Sequence, residues 1–273
     1  MTDLAFGIDE DGKPVSFDPA ALHTVLAGRT RSGKSTTAYR ILSEASEQSW
    51  VRIVGLDPTG VLLGPLASGK PLDFALGTSP GALCGGIELL QRVEAEMDRR
   101  IGKLMPLGVD QIPASAYSDP RLGAILLVLE EYPGLLAAMT RGQADETRRI
   151  ISRLHQEGSK SAIHVMTIVQ RPTAEALRDR AQLGRAVLMA VEASSASPEQ
   201  VERLIGAPPG RGLVAEVGRP LRFFRSDYMT YTQYVASVQA SSTRKAPLFG
   251  GKHRVAMRGS AESIESIRGR RQP

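Results

Sequence analysis

Apolar residues along this chain fall into short runs separated by longer stretches in which they recur every third or fourth position. His23 to Ala27, Trp50 to Leu56, Ala124 to Leu129, Ile163 to Val169 and Ala186 to Val191 are strand-length and largely apolar without alternation. That pattern predicts strands buried on both faces, as in a parallel sheet. A helix is expected from about Lys34 to Gln48. Another is expected from Gly86 to Leu104, where Leu90, Val93, Met97, Ile101 and Leu104 keep helical spacing and Pro106 and Gly108 follow as breakers. Its polar face carries Glu96 four residues before Arg100, a favourable order for an ion pair. Glu146 to Glu157 reads as a helix stopped by Gly158, and Ser197-Pro198-Glu199-Gln200 reads as a helix start, with that helix ending at Gly206. Apolar segments flank Asp11-Gly12 between Phe6 and Phe17, which predicts a hairpin. Gly212 to Val217 and Leu221 to Phe224 are expected to pair around Gly218-Arg219-Pro220. Strands alternating with helices indicate an α/β fold: a mostly parallel sheet flanked by helices, with an N-terminal β-hairpin.

The chain has 273 residues, 42% hydrophobic and 23% charged, which suits one large α/β domain. The formal charge of +5 is unevenly spread: from Ser241 to Pro273 eight Lys/Arg face two Glu, leaving residues 1–240 near −1. A folded domain over 1–240, with its hairpin at 5–18, is therefore expected to precede a basic, loose tail over 241–273. Such an arm attracts nucleic acid or an acidic membrane surface, or simply aids solubility. Cys84 is the one cysteine, so no intrachain disulfide forms, and its simplest role is that of a small apolar residue. No stretch approaches the roughly 18 apolar residues of a membrane helix, and the first residues lack the basic-then-apolar order of a signal peptide. A cytoplasmic protein is expected, peripheral at a membrane only through a partner.

Chemistry concentrates after the first buried strand. Gly28, Arg29, Thr30, Arg31, Ser32, Gly33, Lys34 and Ser35 spell GRTRSGKS, a full match to G-x-x-x-x-G-K-[ST] between a strand and a helix. Glycines let such a loop curl so that its N–H groups face phosphate oxygens, and the helix N-terminus adds positive potential. Lys34 is expected to reach the β- and γ-phosphates, Ser35 to ligate Mg²⁺, and Thr36 to lie beside the phosphates. The nucleotide is expected to be ATP. Hydrolysis needs acidic residues at the end of another buried strand, and AILLVLEEYP supplies Glu130 and Glu131. Glu130 is assigned to the metal and Glu131 to orienting or deprotonating the attacking water. Gln170 ends a further strand and is the candidate sensor of the γ-phosphate. Asp57 also ends a strand, where it either starts the turn before Pro58 or serves the nucleotide.

Taken in order, these motifs resemble the motor domain of the FtsK/SpoIIIE family of DNA translocases. The segments are GIDEDGKPVSFDPAALHTVLAGRTRSGKST, LDPTG, EAEMDRRIGKLMPLGV, LLVLEEYPGLL, AIHVMTIVQRP and VERLIGAPPGRGLVAEVGRPLRFFRSDY, and they cover roughly residues 5–235. The resemblance implies a RecA-like P-loop NTPase fold. It further implies assembly with itself into a hexameric ring around double-stranded DNA, translocation driven by ATP hydrolysis, and a basic residue supplied by the neighbouring subunit. In type the chain is similar to the short motors of actinobacterial plasmid and integrative-element transfer proteins, which leaves a membrane or transfer-apparatus partner open. It departs from the family pattern at four positions. Glu130 stands for the usual Asp, Arg31 for a small residue, Thr59 for a Lys, and Ser159 with Lys160 for an Arg. The trans role would then fall to Lys160, Arg153 or Arg185, or trans activation would be weak. Arg121, Arg171, Arg178, Arg180 and Arg185 are candidates for DNA contact. Two other readings use the same fold: a protein-secretion ring ATPase, and a nucleotide-binding, DNA-associated regulator with weak hydrolysis.

Overall fold

The computed structural model describes residues 4–18, 22–119, 122–170, 184–189, 204, 207–242 and 245–249. The expected helix start at Ser197, and Arg121, Arg171, Arg178 and Arg180, lie outside them.

Ten strands form one sheet. They are β1 (Leu4–Asp9), β2 (Pro14–Phe17), β3 (Thr24–Gly28), β4 (Val51–Asp57), β5 (Phe74–Leu76), β6 (Ala124–Glu130), β7 (Ile163–Val169), β8 (Arg185–Met189), β9 (Arg211–Glu216) and β10 (Arg222–Ser226). Their order is β2-β1-β10-β9-β8-β3-β7-β6-β4-β5. The run from β8 to β5 is parallel, and β9, β10, β1 and β2 extend it antiparallel. Both expected hairpins form.

The helices are α1 (Lys34–Glu47), α2 (Pro80–Ile101), α3 (Leu104–Leu107), α4 (Tyr132–Ala138), α5 (Arg141–Glu157) and α6 (Tyr231–Ser242). The alternation of side chains along a strand divides them between two cores. Leu126 and Val128 of β6 face the side covered by α1 and α6, where Ile41, Leu42, Tyr234 and Val238 are buried. Ile125, Leu127 and Leu129 face α2, α4 and α5, meeting Leu90, Met97, Leu136 and Leu154. Each such side chain contributes about 1.5–3 kcal/mol on burial, which is why β3, β6 and β7 carry so few polar residues.

Three differences from the sequence expectations have physical causes. Helix α2 begins six residues before Gly86, because Ser79 caps it by accepting the N–H of Ala82 and Pro80 occupies its first turn. Gly86 is a packing position, not a break: a Cβ there would lie 3.0 Å from Leu56 Cδ2. Helix α5 begins at Arg141 behind a reciprocal capping box between Thr140 and Gln143. Arg100 does pair with Glu96, at 2.7 Å, but it is only 1% exposed and turned inward. There its Nη1 donates to the carbonyls of Gly123 and Ser161.

Residues 245–249, expected to begin a loose tail, are held against the body. Lys245 Nζ donates to the carbonyls of Gln48 and Val51, and the N–H groups of Leu248 and Phe249 donate to the Asp73 carboxylate at 2.7 and 3.0 Å. Among the described residues no helix is long and apolar enough to cross a membrane.

Candidate functional site: the P-loop cleft

The site lies at the carboxyl ends of β3, β7 and β6, with β7 between the other two. This order puts Gln170, just past β7, between the loop after β3 and the carboxylates at the end of β6. Arg29, Thr30, Arg31, Gly33, Lys34, Ser35, Thr36, Thr59, Glu130, Glu131, Gln170 and Pro209 line one cleft of about 420 Å³. The P-loop, the acidic pair and the strand-end glutamine, drawn from distant parts of the sequence, thus meet in one place.

Close packing shapes the loop. Gly28 has no room for a side chain: a Cβ would lie 2.6 Å from Ser32 Oγ and 2.7 Å from Met189 Cβ. Gly33 has φ 95°, and a Cβ there would lie 2.3 Å from the nitrogen of Gly210. That nitrogen donates to the Ser32 carbonyl at 2.9 Å. The segment Pro208-Pro209-Gly210, which leads into β9, therefore buttresses the P-loop from behind. The sequence pattern did not place it in the site.

Lys34 opens α1 and is 8% exposed. Its ammonium lies 3.5 Å from Glu131 Oε2. Glu131 caps α4 from a left-handed backbone, φ 45° and ψ 49°, which turns the chain sharply off the end of β6. Ser35 is exposed to the cleft. Glu130 is half-buried, and its Oε2 is buried without a hydrogen-bond partner. Burial, then the neighbouring carboxylates of Asp57 and Glu131, push Glu130 up to about 7, with Lys34 opposing them. A buried, unpartnered carboxylate oxygen beside a serine hydroxyl fits a hard cation. Ser35 and Glu130 are the groups that would hold Mg²⁺. Among the described residues no cluster of three or more His, Cys, Asp or Glu could cage a metal ion, so nucleotide phosphates and water would complete the shell.

Asp57, left open between two roles, is structural. Its Oδ1 accepts from Thr59 N, Thr59 Oγ1 and Gly60 N, and its Oδ2 from Leu62 N and Leu63 N, at 2.8–2.9 Å. It folds the 57–63 loop that carries Thr59 to the cleft. The residues considered for action on a neighbouring subunit differ in availability. Arg153 is braced by Glu94, Asp98 and Glu157. Arg185 is 4% exposed and lies 3.2 Å from Glu216. Lys160 is exposed in the 158–161 turn that precedes β7.

No family model matches the chain. The DNA translocase FtsK of Tropheryma whipplei is 27% identical over 244 residues, 82% of this chain. In sequence the chain resembles the FtsK-type DNA translocases. It spans 32% of that relative's length and 18% of the DNA translocase SftA of Bacillus subtilis. Solved structures share the fold. The pCW3 conjugation coupling protein TcpA, solved as a monomer with ATPγS, superposes with a TM-score of 0.66 at 18% identity, covering 89% of this chain and 71% of that one. The cytoplasmic domain of the type VII secretion ATPase EccC of Thermomonospora curvata gives 0.63 at 18% identity, over 89% of this chain and 31% of that one. The fold is the RecA-like P-loop NTPase fold.

Proposed function

We propose that this chain is an ATP-hydrolysing motor that moves double-stranded DNA. The observation that carries the reading is the convergence of Lys34, Ser35, Glu130, Glu131 and Gln170 on one cleft, in a chain whose sequence relatives are named DNA translocases. Lys34 and the N–H groups at the start of α1 bind the triphosphate. That contact draws Lys34 away from Glu131, freeing the carboxylate to take the proton of the attacking water. Gln170 senses the γ-phosphate and passes its presence to the segment that follows β7. Mg²⁺, held by Ser35 and Glu130, supplies neutralisation of phosphate charge when bound.

Work as a self-assembled hexameric ring around the duplex, in conjugative or plasmid DNA transfer or in DNA segregation, is the fuller form of the proposal. The likeness to the coupling protein is in keeping with it. A membrane or transfer-apparatus partner would supply the location, with the domain itself acting from the cytoplasm. The fold is shared with a secretion ATPase, which keeps a protein substrate as the second reading.

The test is steady-state ATPase with and without linear duplex DNA, for the wild type, Lys34→Ala and Glu131→Gln. Turnover that rises with DNA and is lost in both variants is expected. Turnover indifferent to DNA would favour a protein substrate, and nucleotide binding without turnover would favour a regulator.

A further inference from the structure

The cleft carries more positive charge than the P-loop lysine alone. Arg29 and Arg31 both line it and both are exposed. Neither guanidinium has a hydrogen-bond or ion-pair partner among the described residues. On the helices, by contrast, Arg40, Arg92, Arg149 and Arg153 each meet a carboxylate at 2.8–3.2 Å. Charges left unpaired on one loop, facing an open cleft, point to an anionic ligand.

Arg31 has a second peculiarity. Its φ is 66°, a left-handed conformation that glycine takes freely and that other residues take at a cost. Among the described residues only Arg31, Glu131 and Ala162 hold positive φ without being glycine, and the first two flank this cleft. Backbone strain concentrated at a site is an observation from which function can be inferred. A guanidinium is suited to the task, because its planar fork pairs with two phosphate oxygens at once.

We propose that Arg31 is a catalytic residue contributed by the chain's own P-loop, its guanidinium binding the γ-phosphate oxygens of ATP and stabilising them during transfer. The inference rests on the ATP-hydrolysing reading above. In the step it serves, the water oxygen bonds to the γ-phosphorus while the bond from that phosphorus to the β–γ bridging oxygen breaks. The water's proton passes to Glu131, and ADP and inorganic phosphate leave. Arg31 exchanges no proton; it offsets the charge that shifts onto the oxygens. A cation of this kind lessens the need for one from a neighbouring subunit, in a chain whose Arg153 and Arg185 are already committed to their own carboxylates.

Arg31→Gly is the informative variant, because glycine takes φ 66° without strain and the melting temperature should hold or rise. Equilibrium titrations would use fluorescent mant-ATP and mant-ADP with magnesium, in a Glu131→Gln background that blocks turnover, at dilutions where light scattering reports monomer. Arg31→Gly should lose about tenfold or more in mant-ATP affinity and less than about threefold in mant-ADP affinity, with Arg31→Lys intermediate. In the otherwise wild-type chain its kcat should fall about 10²–10³-fold. An unchanged preference for mant-ATP, with kcat within about threefold, would overturn the proposal. So would a loss of kcat that appears in Lys160→Ala and not in Arg31→Gly, since the charge would then come from elsewhere. If the parent chain with Arg31 intact binds neither nucleotide, the ATP reading itself fails and this inference with it.

Discussion

Replacing Asp57 by Asn changes one oxygen to an NH₂ group at a carboxylate that folds its own loop. Asp57 is fully buried and accepts five hydrogen bonds, from Thr59 N and Oγ1, Gly60 N, Leu62 N and Leu63 N. An amide keeps one acceptor oxygen. If that oxygen stays with Thr59 and Gly60, the new NH₂ faces the N–H groups of Leu62 and Leu63, and two charge-assisted bonds become donor–donor contacts. Hydrogen bonds to a charged group are worth about 1.5–3 kcal/mol each. Removal of the negative charge beside Glu130, which helps to raise that carboxyl, gives part of this back. A net loss of about 3–4 kcal/mol follows, a large share of the roughly 5–15 kcal/mol that holds a domain together. In a chain of this size it should appear as a drop of about 10 °C in Tm. Urea denaturation followed by tryptophan fluorescence and circular dichroism would measure it. Affinity for mant-ATP, read well below the melting range, should change by less than about fivefold, because neither carboxylate oxygen is left over for a ligand. A variant as stable as the wild type, or a stable one that cannot bind nucleotide, would show that Asp57 serves the nucleotide and not the loop.

Three further outcomes are expected. Arg100→Met should cost about 2–4 kcal/mol in urea denaturation, because the carbonyls of Gly123 and Ser161 lose a buried donor; a change under about 0.5 kcal/mol would mean that the guanidinium braces nothing. Asp73→Asn should release residues 245–249 and speed tryptic cleavage after Lys245 several-fold, because one of the two N–H bonds from Leu248 and Phe249 loses its acceptor; an unchanged rate would mean that the segment is held some other way. Acid should destabilise the fold through its histidines. Burial, with His164 and His155 close by, lowers His23 to about 3, and burial lowers His164 to about 4. His23 Nδ1 accepts the N–H of Val165 at 3.0 Å, a bond that a second ring proton would destroy. Both folded values lie below the unfolded 6.5, so the unfolded chain binds the extra protons. Stability is therefore complete above about pH 6.5 and falls as the pH drops toward 4, by about 2–3 kcal/mol per ring at pH 4.5. His164→Leu should shrink the loss between pH 6.5 and 4.5, and an identical pH profile would contradict this assignment.

What the sequence disclosed and what it hid divide along physical lines. The buried strands and the P-loop were readable because they are local: a continuous apolar run and a fixed spacing of Gly, Lys and Ser carry their meaning within a few residues. Helix α2 was read short because the apolar spacing that marks it begins past Gly86, whereas Ser79 and Pro80 start it and Gly86 packs against Leu56. Arg100 was read as half of a surface pair because charge order on a helix does not tell which way an arginine turns. The Pro208–Gly210 buttress joins segments far apart in sequence, and no local pattern marks Gly210 as the partner of Ser32. Asp57 was undecidable because a turn-forming and a ligand-binding carboxylate look alike at a strand end. The left-handed backbones of Arg31 and Glu131 violate the usual preference of their residue types, and local rules are expected to fail at strained functional sites.

The central claim is that hydrolysis at this cleft moves the chain along duplex DNA, and displacement of a third strand from a linear DNA triplex tests it most directly. Release of the labelled third strand is predicted in the presence of ATP and magnesium, with none when ADP replaces ATP and none for Lys34→Ala or Glu131→Gln. DNA-stimulated ATP hydrolysis that leaves the triplex intact at every protein concentration would contradict it.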